Sequence, residues 1–260
     1  MPLTNPASMT THSSPTDQIS VIIPALNEAE SIGDVVRSMP WRLIAECIVV
    51  DNGSTDATSA NAAAAGARVI TAPRGYGSAC LAGSRAALPT STILVYLDGD
   101  GADIIDDLPR LTAPILAHQA DFTIGSRIRG RREPGSMLPS QIFAAHLVGA
   151  LLRLVPSVRR RARYTDMGAF RAIRRSSLHQ LRMAELTYGW NLEMQIKAAQ
   201  HNLRILELPV NYRNRIAGKS KVAGNLQASL KAATRILEVL FRVGLSSPHP
   251  EHTGHEHIDD

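Results

Sequence analysis

The chain has 260 residues and is 44% hydrophobic, enough for one large core with an appended helical part; its 4% aromatic content is too low for the stacking platforms of a nucleic-acid binder. Its net charge of +5 conceals two halves of opposite sign: residues 1–126 carry 6 basic and 13 acidic side chains, and residues 127–260 carry 22 and 10. No apolar run reaches the ~18 residues of a membrane span, and Cys47 and Cys80 lie in apolar stretches, as buried thiols of a reducing cytoplasm would rather than a disulfide framework or zinc site.

Residues 1–18 are polar and rich in Ser, Thr and Pro, and read as a disordered tail rather than a signal peptide. Ile19–Pro24 is a β-branched run predicted to be a buried strand. Asn27, with Glu30 three residues on, offers a capping box for a helix to about Ser38, which Pro40 stops. Glu46–Val50 is the second strand, Asn52-Gly53 a turn, and Thr55–Ala65 a helix ended by Gly66. Arg68–Thr71 is a third strand, Arg74–Gly77 a Gly-rich loop, and Ser78–Leu88 an Ala-rich helix. Cys80 stands where a dinucleotide fingerprint would need its third glycine, so that loop is not a dehydrogenase motif. Thr92–Leu97 is a fourth strand, Asp106–His118 a helix with Pro109 near its start, and Phe122–Ile124 a fifth strand.

This alternation predicts an α/β fold with a mostly parallel sheet and helices on both faces. Ligands of such sheets bind beyond the carboxyl ends of the strands, so Asp51, Arg74 and Asp98 should gather at one edge. The second half is less regular. Gln141–Val155 is an apolar helix between Pro139 and Pro156, the basic run Arg159–Arg163 follows, and Arg204–Val210 is a further strand. Asn225–Leu245 is an amphipathic helix with Leu226, Leu230, Leu237, Leu240 and Phe241 on one stripe. Both helices could lie in a membrane interface or pack on the core or on a second subunit. Residues 246–260 are a second, His-rich disordered tail.

Two features carry chemistry. Asp98-Gly99-Asp100, after a buried strand, sets two carboxylates where they can share a hard divalent cation that in turn bridges a diphosphate. Between Arg127 and Arg182 there are 13 arginines, no lysine, and only Glu133 and Asp166 against them. The guanidinium fork matches phosphate oxygens, so this bias points to phosphate or an anionic surface.

Val21-Ile22-Ile23-Pro24-Ala25-Leu26-Asn27-Glu28, Val49-Val50-Asp51-Asn52-Gly53-Ser54-Thr55-Asp56, Arg74-Gly75-Tyr76-Gly77 with Gly83, and Leu97-Asp98-Gly99-Asp100-Gly101 follow one another in an order that resembles family-2 glycosyltransferases. Later pieces continue it: Gly125-Ser126-Arg127, Asp166 with Gly168-Ala169-Phe170-Arg171, Tyr188-Gly189-Trp190 with Glu193, Pro209-Val210, and Arg215 to Gly218-Lys219-Ser220-Lys221. They look like the dolichol- and polyprenyl-phosphate sugar synthase branch, over residues 19–222. The resemblance implies a GT-A-type, Rossmann-like domain at 19–222 and a C-terminal amphipathic helical part at 223–245. It implies nucleotide-sugar binding by Pro24, Ala25, Asn27, Glu28, Asp51 (on the base), Asn52, Gly53, Arg74, Gly77, Asp98 and Gly99. It implies Mg2+ or Mn2+ on Asp98, Asp100 and Asp103, catalysis by Asp98, Asp100, Arg127, Asp166 and Glu193, and acceptor-phosphate contacts from Arg127, Arg171, Arg215, Ser220 and Lys221. Three departures stand out: Ala102 where a metal-holding Gln is frequent, Tyr76 where a Lys is frequent, and no C-terminal membrane spans.

The expected reaction is inverting transfer of a hexose from a UDP- or GDP-sugar to a polyprenyl phosphate at the cytoplasmic membrane face, through peripheral contact, a separate membrane partner or a homo-oligomer, without nucleic acid. A soluble hydroxyl acceptor, with Asp166 or Glu193 as base, and a non-catalytic binding module remain open as alternatives.

Overall fold

A computed structural model of the protein describes residues 18–158, 164–217 and 226–244, the last segment without the side chains of 226–233. Both predicted tails, apart from Gln18, and the Arg159–Arg163 run lie outside the described residues, as do Ser220 and Lys221. Seven strands form one sheet: β1 (Gln18–Ala25), β2 (Glu46–Asp51), β3 (Arg68–Thr71), β4 (Ser91–Tyr96), β5 (Phe122–Ser126), β6 (Arg171–Arg174) and β7 (Ile205–Pro209). Their order is β3-β2-β1-β4-β6-β5-β7. All neighbours run parallel except β6, which is antiparallel to both β4 and β5.

The period-2 pattern decides what each face buries. Val21 and Ile23 of β1, Cys47 and Val49 of β2 and Ile93 and Val95 of β4 point to one core. There they meet α1 (Ile32–Arg37), α2 (Thr58–Ala64) and α4 (Leu108–Leu116), the last entered through a 3-10 turn at Ile105–Asp107. The alternate residues, among them Ile22, Ile48, Leu94 and Tyr96, face a larger core. That core is covered by α3 (Tyr76–Ala86), α5 (Pro139–Leu154), α6 (Arg175–Leu181), α7 (Trp190–Gln200) and α8 (Leu226–Gly244). Cys47 and Cys80 are free and buried, one in each core. Burial pushes both thiols well above their ordinary pKa, Cys47 up to about 12.

Several elements depart from the sequence reading, which also names no helix at α6. Asn27 does not cap a helix: it has φ 51° and its Oδ1 accepts the Thr55 N–H at 2.8 Å, while its own N–H donates to Ser54 Oγ. Its side chain ties the β1 loop to the β2 loop, and α1 starts only at Ile32. β6 is a short Arg-Ala-Ile-Arg strand with too few apolar residues to stand out. α7 is buried almost all round and carries Glu193, Gln195 and Gln200 inside the core, which erases a helical apolar stripe.

Candidate active site

The carboxyl ends of β1, β2 and β4 open into a cavity of about 610 Å³. From the predicted set it is lined by Pro24, Ala25 and Glu28 after β1, Asn52 after β2, Arg74 before α3, and Asp98, Gly99 and Asp100 after β4. Arg127, just past β5, and Arg215 complete that set. Side chains the sequence reading did not single out close it: Gln141 from α5, Met167, Thr187, Asn191 and Tyr212, with Tyr76 and Tyr188 beside them.

The acidic turn is braced by backbone donors. Asp100 Oδ1 accepts the Ala102 N–H at 2.9 Å, and Asp103 Oδ2 accepts the Asp98 N–H at 3.2 Å. Asp100 Oδ2 is 3.1 Å from Arg215 Nη1. Among the described residues no three carboxylate, His or Cys side chains converge on one point, so Asp98, Asp100 and Asp103 do not form a ready-made three-ligand cage. Their charges still crowd one turn. Burial, then the Asp100 charge, pushes the carboxyls of both Asp98 and Asp103 above the ordinary carboxylate range, against partial relief from Arg127. A site of hard oxygen donors that repel one another suits a divalent cation by its chemistry.

The segment after β7 covers this turn. The Arg213 N–H donates to the Ala102 carbonyl at 3.0 Å and Arg213 Nε to the Gly101 carbonyl at 2.7 Å. The Ile216 N–H reaches the Asp100 carbonyl at 3.0 Å. Gly101 has φ +74°, so the turn itself calls for glycine, and a Cβ there would also press on Ile216 Cδ1 of the covering segment at 2.4 Å.

Arg127 is fixed by Asp166. Its Nε and Nη2 reach the two carboxylate oxygens at 2.8 and 2.7 Å, its backbone N–H donates at 2.9 Å, and its guanidinium lies 5.1 Å from the Tyr212 ring centroid. Burial raises the Asp166 pKa, but the Arg127 charge and hydrogen bonds outweigh it and hold the carboxyl below the ordinary value. Asp166 lies outside the cavity lining, and Arg127 presents its remaining surface to the cavity.

Several sequence-predicted residues are placed elsewhere. Glu193 is buried beneath α7, accepts the Ala184 and Glu185 N–H groups at 3.0 and 2.7 Å, and pairs with Lys197 at 2.8 Å. It anchors the chain between α6 and α7 and lies outside the cavity lining. Arg171 is fully buried in the sheet, donating to the Gly168 and Asn191 carbonyls, so it does not meet an acceptor phosphate. Asp51 accepts the Ser54 N–H at 2.8 Å and the Ser59 hydroxyl, which hold its pKa down against burial. Asp51, Asn27 and Gly53 belong to the β1–β2 loop pair beside the cavity rather than to its lining.

Gly77 is likewise a packing residue. A Cβ there would stand 2.2 Å from the Glu185 carbonyl oxygen, because residues 185–187 lie directly on the first turn of α3. The Gly77 N–H donates to the Thr187 carbonyl at 3.2 Å and the Ser78 N–H to the Leu186 carbonyl at 2.9 Å. The buried Glu185 carboxylate holds this wall from behind, accepting Thr187 N–H at 3.1 Å, Arg235 Nε at 3.0 Å and Arg242 Nη2 at 2.8 Å. Nothing local in the sequence marks Glu185, since both arginines come from α8, about 50 residues downstream.

The mostly parallel seven-stranded sheet with helices on both faces is the fold of GT-A-type glycosyltransferases. The chain belongs to glycosyl transferase family 2, whose profile matches residues 20–182. An uncharacterized glycosyltransferase of Mycobacterium tuberculosis is 37% identical over 225 residues, covering 86% of this chain and 98% of the relative. Undecaprenyl-phosphate mannosyltransferase of Micrococcus luteus is 30% identical over 225 residues, covering 80% and 89%. Among solved structures, glucosyl-3-phosphoglycerate synthase of Mycobacterium tuberculosis with phosphoglyceric acid superposes with a TM-score of 0.68 at 25% identity, over 89% of this chain and 81% of that one. The same enzyme with Mn2+, UDP-glucose and phosphoglyceric acid gives 0.68 at 24% identity and the same coverage. Among the described residues no helix is long and apolar enough to cross a membrane.

Proposed function

We propose that the protein transfers a hexose from a nucleotide sugar to a polyprenyl phosphate, with inversion at the anomeric carbon. The observation that carries this reading is the state of the two carboxylates that the sequence offers as base for a hydroxyl acceptor. Asp166 is saturated by Arg127, and Glu193 is buried away from the cavity. A phosphate monoester has a second pKa near 6 and is largely ionised at neutral pH. Its oxygen attacks the anomeric carbon without surrendering a proton. The bond from that carbon to the diphosphate breaks, and the nucleoside diphosphate leaves with the electron pair.

The chain's own groups have matching tasks. Pro24, Ala25, Asn52 and Arg74 would hold the donor at the strand ends. Arg127, kept rigid by Asp166, and Arg215 both line the cavity and would serve the leaving diphosphate and an anionic acceptor. Asp98 and Asp100 would hold Mg2+ or Mn2+, which when bound neutralises charge developing on the leaving diphosphate. The undecaprenyl-phosphate relative supports this acceptor class.

A second reading takes a soluble, phosphate-bearing acceptor, and the likeness to glucosyl-3-phosphoglycerate synthase favours it. The test is release of nucleoside diphosphate from UDP- and GDP-hexoses with Mg2+ or Mn2+, in detergent, with polyprenyl phosphate, the matching polyprenol, or phosphoglycerate. Release that requires the lipid phosphate is expected. Release driven by phosphoglycerate alone replaces the lipid reading with the soluble one.

A further inference from the structure

α5 is apolar on both sides. Its inner side, Ala145, Val148 and Leu152, is buried in the core. Its outer side presents Phe143, Leu147 and Leu154 with 69%, 46% and 75% of their surface exposed, and Leu138, just before the first turn, with 43%. Positions 143, 147 and 154 fall within about 40° of one another on a 3.6-residue helix, so they form one stripe. Single exposed apolar side chains need no explanation, but a contiguous stripe on one helix marks a contact surface.

Charge says what kind of surface it meets. From Pro134 to Thr165 the sequence holds no Asp or Glu and five arginines, of which Arg153 stands exposed on the last turn of α5. This span offers a second copy of itself no acidic side chain to pair with Arg153. A bilayer with anionic headgroups accepts both features, taking the apolar stripe into the acyl boundary and pairing the cations with lipid phosphates. Position supplies a third argument. Gln141, on the first turn of α5, lines the catalytic cavity, with its Oε1 accepting the Leu138 N–H at 2.8 Å. The stripe therefore begins at the cavity mouth. On the same face of the sheet, α8 adds exposed Leu237 and Phe241.

We propose that the outer face of α5 docks the protein on an anionic bilayer and brings the cavity mouth to the lipid surface. The proposal deepens the lipid-phosphate reading and rests on it for its purpose, although docking itself requires neither donor nor acceptor. The experiment is co-sedimentation of the full chain with phosphatidylglycerol-containing and pure phosphatidylcholine vesicles, at low and high salt. A double variant, Phe143→Ser with Leu154→Ser, is carried alongside. Both side chains are largely solvent-exposed, and an unchanged thermal midpoint and nucleotide-sugar binding show that the fold is kept. Salt-sensitive binding to phosphatidylglycerol vesicles is expected, weakened about tenfold or more in the double variant. Equal binding by the double variant, or no binding by the unaltered chain, overturns the proposal. So does a dimer in light scattering that the double variant dissolves, which would identify a second copy as the occupant. Turnover of polyprenyl phosphate in detergent separates the two readings: if it persists while vesicle binding fails, only the docking proposal falls.

Discussion

Asp166→Asn separates a positioning carboxylate from a catalytic base. The native pair is bidentate at 2.7 and 2.8 Å, with the Asp166 side chain fully buried and that of Arg127 18% exposed. Breaking a buried ion pair by removing one charge costs about 3–5 kcal/mol, because the other charge is left uncompensated. The amide keeps one acceptor, and Arg127 can draw water from the cavity, so the loss should lie at the low end, about 3 kcal/mol. The linkage sign agrees: the Asp166 pKa is depressed in the folded state, so its contribution is present above the ordinary carboxylate pKa and is lost as pH falls through the folded value. The stability gap between native and variant proteins should therefore narrow in acid. Urea unfolding across pH measures it, and donor titration and turnover on the same preparations show the consequence of a loosened Arg127. We expect lower stability, weaker nucleotide-sugar binding and reduced turnover together. A thousandfold loss of turnover at unchanged stability and donor affinity would refute this reasoning and restore Asp166 as the base.

Two further perturbations test the turn and the wall. Asp98 and Asp103 carry raised pKa values in the metal-free protein, so above the ordinary carboxylate pKa the folded state binds more protons than the unfolded chain and stability should fall as pH rises towards the raised values. Asp98→Asn should flatten that slope, and Mn2+ should raise Tm more at about pH 8 than at about pH 6; thermal shift across pH checks both, and a native slope unaltered in the variant contradicts the assignment. Gly77→Ala drives a methyl to within 2.2 Å of the Glu185 carbonyl oxygen, a backbone atom with little freedom to yield. We expect a loss of about 1–3 kcal/mol and a higher KM for donor, because Tyr76 shares the first turn of α3 with Gly77 and Arg74 lies just before it; an unchanged Tm would show that the wall is not held there.

The fold was legible wherever burial writes a period into the sequence. β1 to β5 and β7 are apolar runs between turn residues, and each falls within a residue or two of its expected place. β6 and α7 were not legible for opposite reasons: β6 is flanked by arginines satisfied through tertiary hydrogen bonds, and α7 buries polar side chains that pair with distant backbone. The site divides the same way. Asp98, Asp100, Asn52 and Arg74 follow strands directly, and strand order alone carries them to one edge. Arg171 and Glu193 sit in equally suggestive motifs, yet their charges serve the interior. A sequence shows which residues are charged; whether the charge faces a ligand or a buried partner is set by how the chain folds back on itself, over 20 residues for Arg171 with Asn191 and over 8 for Glu193 with the Glu185 N–H.

The Arg215 guanidinium sits on Asp100 where a divalent cation would bring its own charge, and the neighbouring Arg213 and Ile216 fasten that segment to the acidic turn through the Gly101, Ala102 and Asp100 carbonyls. The guanidinium already neutralises part of the Asp100 charge and repels a second cation brought to the same carboxylate, so Arg215 opposes cation binding until a diphosphate supplies it with another anion. Arg215→Gln should then have opposite effects on two ligands. Without nucleotide, Mn2+ should bind more tightly, by about tenfold or ~1.4 kcal/mol, since a like charge near the site is removed. Nucleoside diphosphate should bind more weakly, since a phosphate partner is lost. Mn2+ titration by electron paramagnetic resonance, with and without nucleoside diphosphate, reads both quantities on one protein. If the variant bound Mn2+ no more tightly than the native chain, Arg215 would be a fixed brace of the turn and the exchange between guanidinium and cation would be excluded.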